Sequence, residues 1–441
     1  MKKSIYSHQF VSDGKFYLYN SETNFYVEIS QDLYRLLYNQ DYDIINAHTL
    51  EVLKKNRYLV NDMDLYNYYN KQKMKFTARN HDYNHLTLVI VPTTKCNFSC
   101  PYCFEGEKQD FSMTDEVMAD LLSFVNGHTQ AKTMSITWYG GEPLLAFNKM
   151  EKLTNLLKSE TNIEITSHSI VTNGYLITDK MIDFFQQNKL KSIQITLDGI
   201  KENHDKTRFL GKEHISTFDR ILLNIEKVLV AFPECKVKVR VNIKKNNATD
   251  FFVIYKHLHK SGHKNLQVYP GFIREETNDG CRMCYDSIYE KEERFLFYEK
   301  ALHNGVNVDF MPHHSSKGCM SNVVNSYIIG PQGEIYKCWN DVNHSEKIIG
   351  YIKGHDIINK SLFYAYHEET TPFVDAKCKD CFAFPICSGG CAWYRFKNMK
   401  EDKDFNFCTL FADKSLLEKC LIKSMDKVDM LKENLHKITV C

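Results

Sequence analysis

Three cysteines, Cys96, Cys100 and Cys103, stand at C-x3-C-x2-C spacing and can bring three thiolates onto one metal centre from a single loop. A [4Fe–4S] cubane takes four thiolates, so three leave one iron open to another ligand; the same sulfurs could instead form part of a zinc site. A second set, Cys319, Cys338, Cys378, Cys381, Cys387, Cys391 and Cys408, is spread over the last third of the chain. Its C-x2-C opening suits zinc and iron alike. Fifteen cysteines in 441 residues is a high and odd count. In a reducing compartment, where disulfides are disfavoured, metal ligation accounts for it better than cross-links. Cys235, Cys420 and Cys441 receive no role.

Glycines and polar residues recur at intervals that match the ends of strands. Apolar runs at Leu86–Val91, Ser135–Trp138, Ser167–Val171, Ser192–Leu197, Lys236–Ile243 and Leu266–Tyr269 read as six strands. Amphipathic stretches, among them Asp115–Val125, Met150–Lys158, Met181–Gln187, Phe218–Val230 and Phe251–Leu258, read as the helices between them. Such alternation predicts a parallel sheet, open or curled into a partial barrel, with active residues where strands end. The cysteine loop follows the first strand, Gly140-Gly141-Glu142-Pro143 the second, Thr172-Asn173-Gly174 the third and Leu197-Asp198-Gly199 the fourth. A Gly-Gly-Glu-Pro run alone is more often a turn; its place at the same end of the sheet as the cysteines, with polar and glycine residues recurring at successive strand exits, points to a ligand cleft.

Before the sheet, Lys15–Tyr19 and Phe25–Ile29 read as strands and Asp32–Tyr38 and Leu50–Lys55 as helices, a small α+β unit. Lys71–Asn80, basic and polar, reads as the connection to the next domain. Three parts are expected: 1–80, 81–305 and 306–441. The formal net charge of +1 is spread evenly, which excludes a basic track for nucleic acid. No apolar run is long enough to span a membrane and no secretory leader is seen at Met1–Leu18, so a cytoplasmic protein is expected.

With Tyr102 inside the cysteine motif and Gly-Gly-Glu-Pro after the second strand, the stretch 86–271 resembles the radical S-adenosylmethionine (SAM) superfamily. The resemblance implies a partial (β/α)6 barrel and SAM as cofactor. It implies that Cys96, Cys100 and Cys103 hold one [4Fe–4S] cluster, that Gly140, Gly141, Glu142 and Pro143 line the methionine amino group, and that Thr172, Asn173, Gly174 and Asp198 border the cofactor. Arg208, after His204-Asp205, would meet the cofactor carboxylate. An ion-paired surface arginine is the plainer alternative. Electrons would come from a reductant such as flavodoxin or ferredoxin.

The C-terminal cysteines resemble a SPASM domain, which implies two auxiliary [4Fe–4S] clusters. Cys378, Cys381, Cys387 and Cys408 would hold one; Cys319, Cys338 and Cys391 would give three ligands to the other. For the fourth ligand the chain offers an open iron, His313, Cys281 or Cys284. Proteins of this build mostly modify peptides, so the reading is a maturase of a ribosomally made precursor peptide, with the N-terminal unit as a winged leader-binding element. Thioether or carbon–carbon crosslinks are the expected products. An anaerobic sulfatase maturase comes second: its base directly follows the cysteine matching Cys338, where this chain has Trp339, with Asp341 as the nearest catalytic candidate. A non-catalytic iron–sulfur carrier or zinc scaffold comes last.

Overall fold

A computed structural model describes residues 1–103, 110–211, 214–272, 289–314, 318–387 and 389–438, by backbone alone after 426. Cys281, Cys284 and Cys441 lie outside the described residues. The chain divides into two compact units, one of Met1–His81, Asn307–Asn322 and Ala365–Cys441, the other of Asp82–Val306 and Val323–Tyr364. This grouping runs differently from the three-part division expected from the sequence.

The first unit opens with β1 (Lys2–Lys3) and a three-stranded antiparallel sheet of β2 (Ser7–Ser12), β3 (Lys15–Asn20) and β4 (Phe25–Ile29). Helices α1 (Gln31–Asn39) and α2 (Ala47–Lys55) follow, and β5 (Leu59–Val60) pairs back onto β1. The two-residue side-chain period of a strand splits β3 between two cores. Leu18 packs with Leu37, Tyr42, Ile45, Leu53 and Tyr58, while Phe10, Tyr17 and Tyr19 pack with Phe382, Ala383, Ile386, Leu417 and Leu421 from the C-terminal segment. Segments at the two ends of the chain thus bury one aromatic face together.

The expected polar connection at 71–80 is corrected: it is the second half of helix α3 (Asp62–Asn80). Asn61 accepts from the Asp64 amide and Asp64 from the Asn61 amide, a reciprocal N-terminal cap, and no Gly or Pro interrupts the helix. Tyr69 and Phe76 pack edge-on against Phe373, so aromatic contacts rather than an apolar stripe hold the helix.

The second unit is built on parallel strands β6 (His85–Ile90), β7 (Thr133–Trp138), β8 (Glu164–Thr172), β9 (Leu190–Leu197), β10 (Lys236–Ile243) and β11 (Leu266–Phe272). They lie side by side in chain order, and β12 (Ser326–Ile329) adds in parallel beside β6. Antiparallel β13 (Glu334–Tyr336), β14 (Gly350–Tyr351) and β15 (Asp356–Ile357) extend that edge. Crossover helices α4 (Asp115–Asn126), α5 (Phe147–Glu160), α6 (Asp179–Gln187), α7 (Lys201–Thr207), α8 (Phe218–Ala231) and α9 (Asp250–His259) cover the sheet, and α10 (Lys291–His303) follows it. In α4, Thr114 caps the first turn and Met118, Leu121, Phe124 and Val125 form the buried stripe. Leu86, Leu88, Ile90, Ile136, Ile195, Val237, Val239 and Val241 are all essentially buried. At about 1.5–3 kcal/mol each, such side chains anchor the strands whose ends carry the polar residues. Among the described residues no helix is long and apolar enough to cross a membrane.

Candidate active site

After β6 the chain turns through Thr93, Thr94 and Lys95 into the cysteine loop. The turn is pinned by Thr94 N donating to the Phe111 carbonyl at 3.0 Å and by Lys95 N donating to Thr93 Oγ1 at 3.1 Å. Cys96, Cys100 and Cys103 are all partly buried; Phe98 N donates to Cys96 Sγ at 3.4 Å and Cys103 N to the Cys100 carbonyl at 3.2 Å.

The loop after β7 packs directly on this turn. Glu142 N donates to the Lys95 carbonyl at 2.8 Å and Gly141 N to the Thr93 carbonyl at 3.3 Å. A Cβ on Gly141 would stand 2.3 Å from the carbonyl oxygens of Thr94 and Lys95, and one on Gly140 2.6 Å from the Thr93 carbonyl. Both glycines are therefore required by backbone contact. Glu142 is completely buried and accepts from Leu144 N (3.1 Å), Thr172 Oγ1 (2.7 Å) and Asn173 N (2.7 Å). Burial raises its pKa against the pull of these three bonds. Asn173 Nδ2 donates to Asn97 Oδ1 at 2.8 Å, tying the third strand exit to the cysteine loop, and Pro143 opens the short helix to Ala146. Gly174 N donates to Thr172 Oγ1 and its carbonyl accepts from Asn224.

At the fourth exit, Asp198 accepts from Tyr102 Oη (2.5 Å), Thr207 Oγ1 (2.6 Å) and Asn242 Nδ2 (3.1 Å). Tyr102 Oη accepts in turn from Arg208 Nη1 at 3.1 Å. Burial foremost keeps the Tyr102 hydroxyl protonated, and Asp198 adds to the effect. Arg208 is 8% exposed, its guanidinium 5.6 Å from the Phe98 ring centre, and among the described residues its Nε has no hydrogen-bond partner. Burial works against its charge, but the hydrogen bond to Tyr102 Oη and the neighbouring Cys100 and Asp198 hold it more firmly charged than a free guanidinium. The surface-arginine alternative is thereby set aside. His204 accepts from Asp198 N through Nδ1 and donates through Nε2 to Thr217 Oγ1. Burial and then Arg208 push its pKa down to about 4. A cleft of about 180 Å³ opens here, lined by Tyr102, Asp198, Lys206, Thr207, Asn242 and Lys244.

The sequence reading missed Thr207 and Asn242. Asn242 alternates with Val241 and Ile243 on β10, so it looks like a solvent-facing strand position; at a strand exit that face lines the cleft. Asp341 is 1% exposed in the short helix Trp339–Asp341, and Trp339 packs edge-on against Tyr139 at the β7 exit, 4.6 Å between ring centres.

In the other unit, Cys381 lies within electrostatic reach of Cys387 and Cys408, and Cys378 of Cys381. Burial raises both the Cys378 and Cys381 thiols. Cys319 and Cys391 belong to this unit too, whereas Cys338 lies in the barrel unit. His313 is exposed and pairs with Asp309 at 2.7 Å. Among the described residues no three His, Cys, Asp or Glu side chains are already drawn into metal-binding geometry. The donor set nonetheless fits an iron–sulfur cluster at the first loop: three partly buried thiols on one turn, beside a buried guanidinium with a spare donor.

Parallel strands, the three-thiol loop and the interlocked exits define an enzyme domain of the radical SAM class. The profile of the Radical SAM superfamily matches residues 90–260, and this stretch is a radical SAM domain. The chain is 27% identical over 369 residues to a cysteine-type anaerobic sulfatase-maturating enzyme of Clostridium novyi (strain NT), covering 77% of this chain and 96% of that protein. It is 35% identical over 168 residues to a GTP 3',8-cyclase of Clostridium perfringens (strain SM101 / Type A), covering 37% and 47% respectively. The solved structure of native anSMEcpe with bound AdoMet shares the fold at a TM-score of 0.59 and 22% identity, over 78% of this chain and all of that one.

Proposed function

We propose that this chain is a radical SAM enzyme that modifies a side chain of a peptide or protein. The observation that carries the reading is Arg208, buried beside Cys100 with Nε unpartnered among the described residues, at the exits of strands that also position Cys96, Cys100 and Cys103. These three thiolates would hold a [4Fe–4S] cluster with one open iron, and the Arg208 guanidinium would receive the SAM carboxylate, a charge-assisted bond. Bound there, the cluster and SAM supply a 5′-deoxyadenosyl radical that abstracts hydrogen from the substrate. The protein's part is positioning. Asp198 spends its oxygens on Tyr102, Thr207 and Asn242 and so holds the cleft wall, while Glu142 locks the second and third exits together.

Arg208→Lys keeps the charge and loses the fork. We expect the KM for SAM to rise roughly ten- to a hundredfold, the worth of about 1.5–3 kcal/mol for a charged hydrogen bond.

Between the two substrate readings, precursor-peptide maturation is proposed first: residues 1–81 form a folded part of the first unit, and Trp339 rather than an acid follows Cys338. The near full-length likeness to sulfatase-maturating enzymes supports the second, in which Asp341 serves as base during oxidation of a cysteine or serine to formylglycine. Anaerobic incubation with SAM, dithionite and a sulfatase-type cysteine or serine peptide, read by mass spectrometry, separates them. Exchange of sulfur for carbonyl oxygen at the cysteine, or loss of a hydrogen pair at the serine to give an aldehyde without a crosslink, establishes the sulfatase reading, and loss of a hydrogen pair with a crosslink in a precursor peptide establishes the first. Release of no 5′-deoxyadenosine under any condition overturns both.

A further inference from the structure

Arg395 sits one turn after Cys391 on the helix Ala392–Lys400 and is only 2% exposed. A guanidinium is buried at this cost only where partners are fixed around it. Its Nη1 pairs with the Asp375 carboxylate. Its Nη2 donates to the Gly389 carbonyl at 2.7 Å and to Cys378 Sγ at 3.4 Å, and the guanidinium stands 5.0 Å from the centre of the Phe407 ring. These partners belong to three different cysteine-bearing segments. Asp375 caps the short helix that carries Cys378, accepting from Lys377 N at 2.9 Å; Gly389 lies in the turn between Cys387 and Cys391; Phe407 precedes Cys408. One cation therefore grips the three segments that carry Cys378, Cys387 and Cys408.

We propose that Arg395 is a positioning residue that raises the reduction potential of an iron–sulfur cluster held by Cys378, Cys381, Cys387 and Cys408, with Asp375 as its counterweight. The inference rests on the reading that these thiols ligate iron. When a [4Fe–4S]2+ cluster takes up one electron it gains one negative charge. A buried N–H aimed at a ligating sulfur and the charge behind it stabilise the reduced form, while a nearby carboxylate opposes it. The two members of the pair must then shift the potential in opposite directions.

The test uses the full-length enzyme, reconstituted anaerobically, with Cys96→Ala, Cys100→Ala and Cys103→Ala in the background so that only auxiliary clusters contribute. Iron and sulfide are counted, and a dithionite titration with mediators is followed by electron paramagnetic resonance. Arg395→Gln is expected to move one auxiliary couple negative by at least tenfold in its reduced-to-oxidised ratio at fixed potential, about 59 mV for one electron. Asp375→Asn, which keeps an N-cap side chain, is expected to move the same couple positive. Potentials unmoved in both variants, or moved in the same direction, overturn the proposal while leaving the cluster reading intact. Should Arg395→Gln lose its iron, the sign of the Asp375→Asn shift decides alone. Iron content unchanged by the double variant Cys378→Ala, Cys381→Ala overturns the cluster reading and the proposal with it.

Discussion

His168 and His204 are the buried histidines of the barrel whose protonation folding suppresses most. Trp138 Nε1 donates to His168 Nδ1 at 3.1 Å, which makes that nitrogen an acceptor and the ring neutral. Burial, with a small push from Lys158, takes His168 down to about 4, as burial does for His204. For a base whose folded pKa is depressed, the unfolded chain takes up protons first as pH falls. Stability present above 6.5 is lost progressively toward 4, by roughly 2 kcal/mol per histidine at pH 5. Replacing His168 with Gln, which cannot titrate but can still accept from Trp138, should cut the drop in urea midpoint between pH 7 and pH 5 by about half of the two-histidine effect. An unchanged drop would show that His168 is already protonated in the folded protein. His168 stands between serines on β8 and His204 in the polar stretch Lys201–Thr207, so the sequence gives neither as buried, because burial is a property of the fold.

At the scale of elements, the exits of β6, β7 and β8 act as one piece, and the small residues between them are the joint. Gly141→Ala sets a methyl group against two backbone carbonyls that cannot yield separately, since Lys95 also accepts from Glu142 N. Loss of iron from the Cys96, Cys100 and Cys103 loop is expected even though no ligand is touched. Gly262→Ala, at φ +68° with nothing within 4 Å, is the control for backbone strain alone and should cost only about 1 kcal/mol. Iron and sulfide assays on the two variants decide it; equal iron in both means that the joint is loose. The six parallel strands were legible in the sequence because each is an apolar or alternating stretch bounded by turns. β12 was not, since Ser326–Ile329 is four residues long and its partner β6 is more than two hundred residues away. Helix α3 was misread for the opposite reason: its signal is a cap and scattered aromatics, which resemble a polar linker when burial is unknown. The cysteine motif and the exits showed in the sequence because spacing along one loop is local. Thr207 and Asn242 did not, because the face of a strand that lines a cleft reads like one that faces water.

At the scale of the molecule, the grouping of Met1–His81 with the C-terminal cysteines sets what a truncation can do. Phe10, Tyr17 and Tyr19 share one core with Phe382, Ala383, Ile386, Leu417 and Leu421; Ser21 Oγ donates to the Phe382 carbonyl and His8 Nε2 pairs with Glu418. Fully burying three large side chains of this kind contributes about 1.5–3 kcal/mol each, comparable with the whole net stability of a domain. Phe382 directly follows Cys381, and Ile386 precedes Cys387. Deleting residues 1–81 should therefore do more than remove a grip on a substrate leader: the C-terminal cysteines would lose the apolar face that orders them. The expected outcome is a protein that keeps iron at the Cys96, Cys100 and Cys103 loop, still cleaves SAM, and loses auxiliary iron. A detachable recognition element predicts the reverse, a truncated protein with its full auxiliary iron and a defect confined to substrate KM. Iron content and SAM cleavage, measured on the same preparation, separate an N-terminal segment that is part of the C-terminal fold from one that only guides the substrate.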